Sequence, residues 1–255
     1  MSLSLPSSAA DPDSWACVTA YKAASSYVGA LLGTLLRARG VPQIDLAGEA
    51  YKQGVDEATF CIENQDLVGT PGYYFGPFRD SYIKDMPSLR NARVVLHVRD
   101  PRDCLVSHHY SVAYSHEIPP TGPIRDDLMH RRQVYLNQGV DQSSLTDCGD
   151  FHRIFAALRD LARSHGGLYV SRYEDMVADF GGWLDRLCSF VRCDRLDAVK
   201  EALKHQTSFA VRENPLNHMR QVTPGDYRRK LTQQTQRALT EQLSDVLEYF
   251  GYSRE

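Results

Sequence analysis

The sequence lacks three things that would have placed it quickly: a membrane-length apolar run, paired cysteines and an excess of charge of one sign. No stretch approaches the about 18 consecutive apolar residues of a membrane span. The opening MSLSLPSSAADPDSW has neither the basic nor the apolar region of a secretory signal, so none is expected there. The six cysteines (Cys17, Cys61, Cys104, Cys148, Cys188 and Cys193) are scattered, with no CxxC pair. They read as reduced core thiols of a cytoplasmic protein rather than a disulfide framework or a metal site. Lys and Arg number 29 against 32 Asp and Glu, a formal charge of −3. That balance argues against a nucleic-acid or anionic-membrane partner, and any anion site must be a local cluster of positive charge.

What is present is ordinary globular composition, 42% hydrophobic and 24% charged over 255 residues. A chain of this size buries roughly 70–75% of its unfolded surface without a staple. Residues 1–13 are rich in Ser, Pro and Asp and read as a flexible tail, leaving 14–255 as one domain. From Ala16 strands alternate with helices. ACVTAY is a β-run, and SSYVGALLGTLLRAR carries apolar residues at helical spacing before Gly40 and Pro42. ATFCI and RVVLHV are further strand candidates, followed by a helix from Pro101 to about Ser115. FHRIFAALRDLARSHG is a helix closed by Gly166 and Gly167, and GLYVSR is the next strand. Helices are expected near 174–191, 195–205 and 233–250. The pattern predicts an α/β fold, a parallel central sheet flanked by helices, with ligands beyond the carboxyl ends of its strands.

Three segments carry chemistry. In Thr19–Tyr27, small residues join the first strand to the first long helix, and Ser25 and Ser26 open that helix. Free amides and the helix dipole there favour a phosphate, with Lys22 adding charge. The segment is not a Walker loop, which needs two glycines and a Lys directly before Ser or Thr. The bland alternative is an ordinary helix start with a solvated lysine. In Arg93–Ser107, a buried strand ends in Arg99, and Ser107 lies on the following helix, opened by Pro101. Guanidinium and hydroxyl suit one phosphate, the alternative being an Arg–Asp surface network. The third, Arg220–Lys230, is a basic, turn-rich loop before the last helices.

Together these segments resemble the sulfotransferases that use 3′-phosphoadenosine-5′-phosphosulfate (PAPS). YKAASSY is similar to the family's 5′-phosphosulfate loop, PKSGTTW. VRDPRDCLVSHHYS is similar to its 3′-phosphate motif, RNPKDVAVSYYHF. LYVSRYEDM, HQTSFAVRENP and MRQVTPGDYRRKLT resemble the strand-and-turn, TSF and RKGxxGDW segments, in the same order. The resemblance implies a P-loop-kinase-like sulfotransferase fold and sulfuryl transfer from PAPS, a co-substrate, to a hydroxyl or amine of a small molecule, with no metal. It assigns Lys22, Ala23, Ala24, Ser25, Ser26 and Tyr27 to the 5′-phosphosulfate. Arg99, Ser107 and Arg220 take the 3′-phosphate, and Tyr173, Thr207 and Phe209 frame the adenine. Gln221 and Val222 stand where the family has Lys-Gly, so one 3′-phosphate contact is missing unless Arg228 or Arg229 replaces it. Ala24 replaces a glycine, which narrows the backbone geometry.

The acceptor side departs further. No histidine lies between Phe60 and Arg93, where cytosolic relatives carry KTH, although Arg79 matches its lysine. Carboxylate-using branches point instead to Asp45 or Glu49, with Glu49 preferred. Tyr74, Phe75, Phe78, Arg79 and His109 are the candidates to meet the acceptor, while His97 and His109 both read more readily as packed groups. A small-molecule kinase, or a PAPS- or PAP-binding module impaired in turnover, is the alternative function. The family's dimer segment KxxxTVxxxE loses its apolar centre and acidic end here, at Gln233 and Arg237. The expectation is a monomer, or a dimer that does not use 228–237.

Overall fold

The computed structural model describes residues 5–8, 11–116, 118, 123–207, 209, 213–214 and 221–254. In chain order its elements are β1 (Trp15–Thr19), α1 (Ser25–Arg37), β2 (Gln43–Ile44), α2 (Leu46–Gln53), α3 (Glu57–Glu63), β3 (Tyr74–Phe78) and β4 (Arg93–Val98). There follow α4 (Pro101–Tyr110), a π-helical turn (Ser111–Ser115), α5 (Pro123–Ser164), bent at Gly139, and β5 (Leu168–Arg172). The chain closes with α6 (Tyr173–Ala178), α7 (Phe180–Phe190), α8 (Asp197–Gln206), α9 (Asp226–Lys230), α10 (Gln233–Gln242) and α11 (Ser244–Tyr249). Two compact units result, one of residues 1–98 and 156–207 and one of 99–155 and 208–255. No described helix is long and apolar enough to cross a membrane.

The first unit holds the whole sheet, ordered β2-β3-β1-β4-β5 with every pair parallel. The expected class is the observed one. β1 lies at the centre, buried at all five positions, as expected of a strand covered on both faces. Its register against β3 slips between Ala16 and Val18. Gly76 sits there at φ 104°, and a Cβ on it would meet the Cys17 carbonyl at 2.6 Å, so the bulge requires glycine. At one edge of the packing, Trp15 lies edge-on to Phe190 and under the guanidiniums of Arg39 and Arg93.

Two sequence expectations change. ATFCI is not a strand but the body of α3, because the Asp56 side chain accepts from the Thr59 amide at 2.9 Å and starts a helix there. The tail reading does not extend to Asp11 and Asp13. Asp11 is buried against Arg39, and Asp13 pairs with Arg192 at 2.7 Å.

The second unit is helical. Phe155 meets Phe250 edge-on, and His108 and His109 lie among Tyr135 and Phe151. Across both units all six cysteines are free and buried, and burial pushes the Cys61, Cys148 and Cys193 thiols up to about 11. A thiol reagent should therefore modify essentially no cysteine of the native protein within minutes at pH 8 and all six in denaturant. Rapid labelling of several native thiols would contradict this packing.

Candidate active site

Within the first unit, β1 runs into a turn whose backbone is held in an uncommon shape. Lys22 (φ 65°) and Ala24 (φ 61°) both take left-handed conformations, which cost a residue with a Cβ roughly 1–2 kcal/mol. Ala24, in the glycine position of the resemblance, thus adopts the glycine-like geometry regardless. It is also the N-cap of α1, with no side-chain cap. The first amides of α1 have no intrahelical carbonyl to reach and Ala24 offers them no side-chain cap, an arrangement suited to an anion. Ser25 is buried and Ser26 exposed, so a buried and an exposed hydroxyl open the helix. One turn on, the Tyr27 hydroxyl and Thr207 Oγ1 are 2.5 Å apart, 180 residues distant in sequence. Tyr173 is buried at the start of α6, directly after β5.

Within the second unit, Arg99 is 5% exposed and its Nη2 lies 3.6 Å from the Asp103 carboxylate. Asp103 is fully buried and accepts from the amides of Gly225 (2.8 Å) and Tyr227 (2.9 Å). Burial pushes its carboxyl above the usual range while Arg99 and the two amides pull it back. The segment VRDPRD thereby grips the turn PGDY. Arg102 is also buried rather than part of a surface network. It is bidentate to Asp100 (3.0 and 2.7 Å), donates to Thr240 and the Ser253 carbonyl, and lies over the Tyr227 ring. Ser107 and Phe209 are half-buried, Gln221 half-buried and Val222 buried; Arg220 lies outside the described residues. Arg229 is ion-paired to Asp226 at 2.8 Å and Arg228 donates to the Tyr227 hydroxyl at 3.0 Å. A cavity of about 470 Å³ in this unit is lined by Arg102, Tyr227, Gln233, Arg237, Thr240 and Arg254, and it contains none of the donor-binding candidates.

The family described as Sulfotransferase domain matches residues 83–250, more than half of the sequence. The chain belongs to that family. Mouse sulfotransferase SULT7A1 complexed with PAP is similar in structure, with a TM-score of 0.63 at 17% identity over 92% of this chain and 84% of that one. At such identity the likeness establishes the fold. Retinol dehydratase in complex with androsterone and inactive cofactor PAP gives 0.49 at 15% identity, over 92% and 80%. No curated protein matches by sequence.

On the acceptor side of this sulfotransferase, the expected bases are engaged elsewhere. Asp45 is exposed and caps α2, accepting from the Gly48 amide at 2.9 Å. Glu49 pairs with exposed Lys52 at 2.6 Å. Tyr74, Phe75 and Phe78 are at most 1% exposed, so they fill the core and do not line an open acceptor surface. His97 lies inside β4, 2.8 Å from Ser171 Oγ and edge-on to Trp183. His109 is buried at 2.8 Å from Ser143 Oγ and stacked on Tyr135, a packed group rather than an acceptor contact. Arg79 follows β3, and its buried Nε has no hydrogen-bond partner among the described residues. Around it stand groups that the sequence did not single out. Glu57 accepts from the Tyr82 hydroxyl at 3.0 Å, and Asp80 acts on Tyr21, the residue before Lys22. Their only advance signal was an Asp-Glu pair at a helix start and an aromatic-rich stretch, both common in any fold. No group of three or more metal-binding side chains occurs among the described residues.

Removing Asp103 tests the second-unit geometry. Asp103→Ala strands two buried amides and the Arg99 charge, so it should lower the unfolding free energy by about 3–5 kcal/mol in urea titration. A loss below about 1 kcal/mol would show that the grip on the 225–227 turn is not structural.

Proposed function

We propose that the chain transfers the sulfuryl group of PAPS to a hydroxyl of a small-molecule acceptor, releasing adenosine 3′,5′-bisphosphate (PAP). Membership of the sulfotransferase family supports sulfuryl transfer in general. The observation that carries the finer reading is the 2.5 Å contact between Tyr27 and Thr207. The sequence resemblance placed the first at the phosphosulfate loop and the second beside the adenine, and the fold brings their hydroxyls together. The uncapped start of α1 supports the same reading, because its amides and the hydroxyls of Ser25 and Ser26 suit a phosphosulfate. Ala23 and Ala24 supply loop backbone there, and Tyr173 and Phe209 complete the adenine site.

Lys22 is assigned the charge that builds on the bridging oxygen as the leaving phosphate departs. A flexible ammonium follows that oxygen without a fixed fork geometry. Arg99, with Ser107 and Arg220, is assigned the 3′-phosphate. Its guanidinium is already desolvated and oriented by Asp103, so little ordering is left when an anion arrives. Gln221 and Val222 border the same phosphate in this reading. The acceptor is a small molecule, and no nucleic-acid or membrane partner is involved. We place the protein in the cytoplasm, where its thiols stay reduced, as a monomer or a dimer that does not use 228–237. Within that segment Thr232 is bonded to Asp141 at 2.9 Å, and Gln233 and Arg237 face the cavity of their own unit.

Transfer from ³⁵S-labelled PAPS to a panel of alcohols, phenols, amines and sugars tests the reading. Lys22→Ala should lose about 10²–10³ in kcat, the usual worth of one such stabilising group, with donor affinity within about threefold. Arg99→Ala should instead weaken PAP binding by roughly 10–100-fold, the worth of a charge-assisted contact. Unchanged PAP affinity in the Arg99 variant would remove that residue from the donor site.

A further inference from the structure

Asp45 caps a helix and Glu49 is paired to exposed Lys52. A third carboxylate is set differently. Glu57, at the first position of α3, is half-buried among polar and titratable groups. Tyr82, from the turn Ser81–Asp85, donates to its Oε1 at 3.0 Å and also lies 3.6 Å from Cys61 Sγ, one turn along α3. Arg79 and Asp80, just past the end of β3, act on it electrostatically, as does Asp45 at the start of α2. Glu57 and Asp80 in turn act on the phenol of Tyr21, in the turn that carries Lys22. Through the Tyr82 hydrogen bond Glu57 is tied to the segment that follows the carboxyl end of β3, and its charge reaches Tyr21, two residues past the end of β1.

We propose that Glu57 takes the acceptor's proton in this sulfotransferase, with Tyr82 as the positioning residue that holds its carboxylate. The inference rests on the donor reading above. The acceptor O–H gives its proton to a Glu57 carboxylate oxygen as the acceptor oxygen bonds to sulfur. The bond from sulfur to the bridging phosphate oxygen breaks with its electron pair on that oxygen, leaving a sulfate ester and PAP. Glu57 then returns the proton to water. Burial holds the Glu57 carboxyl above its ordinary range, partly offset by Tyr82 and Arg79 and reinforced by Asp80 and Asp45. A base with raised proton affinity is better matched to a hydroxyl acceptor near neutral pH than an exposed carboxylate.

The sign of the pH dependence follows. Transfer requires ionised Glu57, so kcat should fall as pH drops through its pKa. Tyr82→Phe removes a hydrogen bond that favours the carboxylate and should move that acid limb to higher pH. The test uses the full chain, PAPS as sulfuryl donor for turnover, PAP as donor-site probe, and 2-naphthol and benzyl alcohol as acceptor probes. Glu57→Gln should lose about 10²–10⁴ in kcat with PAP affinity unchanged, and its acid limb should vanish. An NMR titration of ¹³C-labelled glutamate, assigned with the Gln variant, should show saturating PAP moving the Glu57 carboxyl titration upward, because the bound bisphosphate adds negative charge beside it. Should Glu57→Gln fail to fold, Tyr82→Phe assigns the Glu57 resonance by its shift, and its pH profile and the wild-type titration carry the test. A Gln variant within threefold of wild-type kcat, or a Glu57 titration that PAP leaves in place, overturns the proposal. If wild-type protein binds no PAP at all, the donor reading fails, and Glu57 loses its role with it.

Discussion

The burial of β1 on both faces is the constraint from which the rest of the first unit follows. Trp15–Thr19 has β3 on one side and β4 on the other, both parallel, so its chain leaves at the same edge as theirs. A parallel strand cannot hairpin into its neighbour and must cross over, and the crossover here begins with the turn at residues 20–24. Two residues of that turn take left-handed backbone, and α1 starts without a side-chain cap. Strain of this kind persists only where the surroundings over-determine it. Here a buried strand on one side and a helix packed through Val28, Leu31, Leu32 and Leu35 on the other leave the turn no relaxed alternative.

Much of this was legible before any coordinates. The buried strands β1 and β4 and the partly exposed β5 announce themselves as short apolar runs, and α1 and the last part of α5 by helical spacing with glycine beyond their ends. What hid were elements whose sequence contradicts their state. β3 has Gly76 and Pro77 at its centre, residues that argue against a strand unless a bulge requires them. β2 is only two residues long. The run ATFCI is apolar and short, which periodicity alone cannot assign, and the Asp56 cap decides it as helix.

The same physics explains why the candidate donor side leaves a signature in the sequence and the candidate acceptor side does not. Anion recognition by a helix start is largely a backbone property, so it leaves a local signature of small residues, hydroxyls and a lysine in one stretch. The Asp103 grip joins two segments far apart in sequence, yet each is a recognisable motif by itself. Glu57, Arg79, Asp80 and Tyr82 come from a helix start, a strand end and a short turn; the match of Arg79 to the KTH lysine and the aromatic-rich run that holds Tyr82 are the only signals there, and nothing marks Glu57 or Asp80. Their environments separate the carboxylates more than their residue types do. Asp45 and Glu49 are already spoken for by an amide and an exposed lysine, whereas Glu57 is half-buried with a tyrosine as its donor.

The central claim is that the protein recognises a nucleotide by both its 5′ and its 3′ phosphate. Calorimetry of the wild-type protein with PAP and with adenosine 5′-monophosphate (AMP), at one ionic strength, tests it most directly, because the two ligands differ only in the 3′-phosphate. A 3′-phosphate held by charge-assisted hydrogen bonds of about 1.5–3 kcal/mol each should make PAP bind at least about tenfold more tightly. Equal affinity for PAP and AMP would contradict the account.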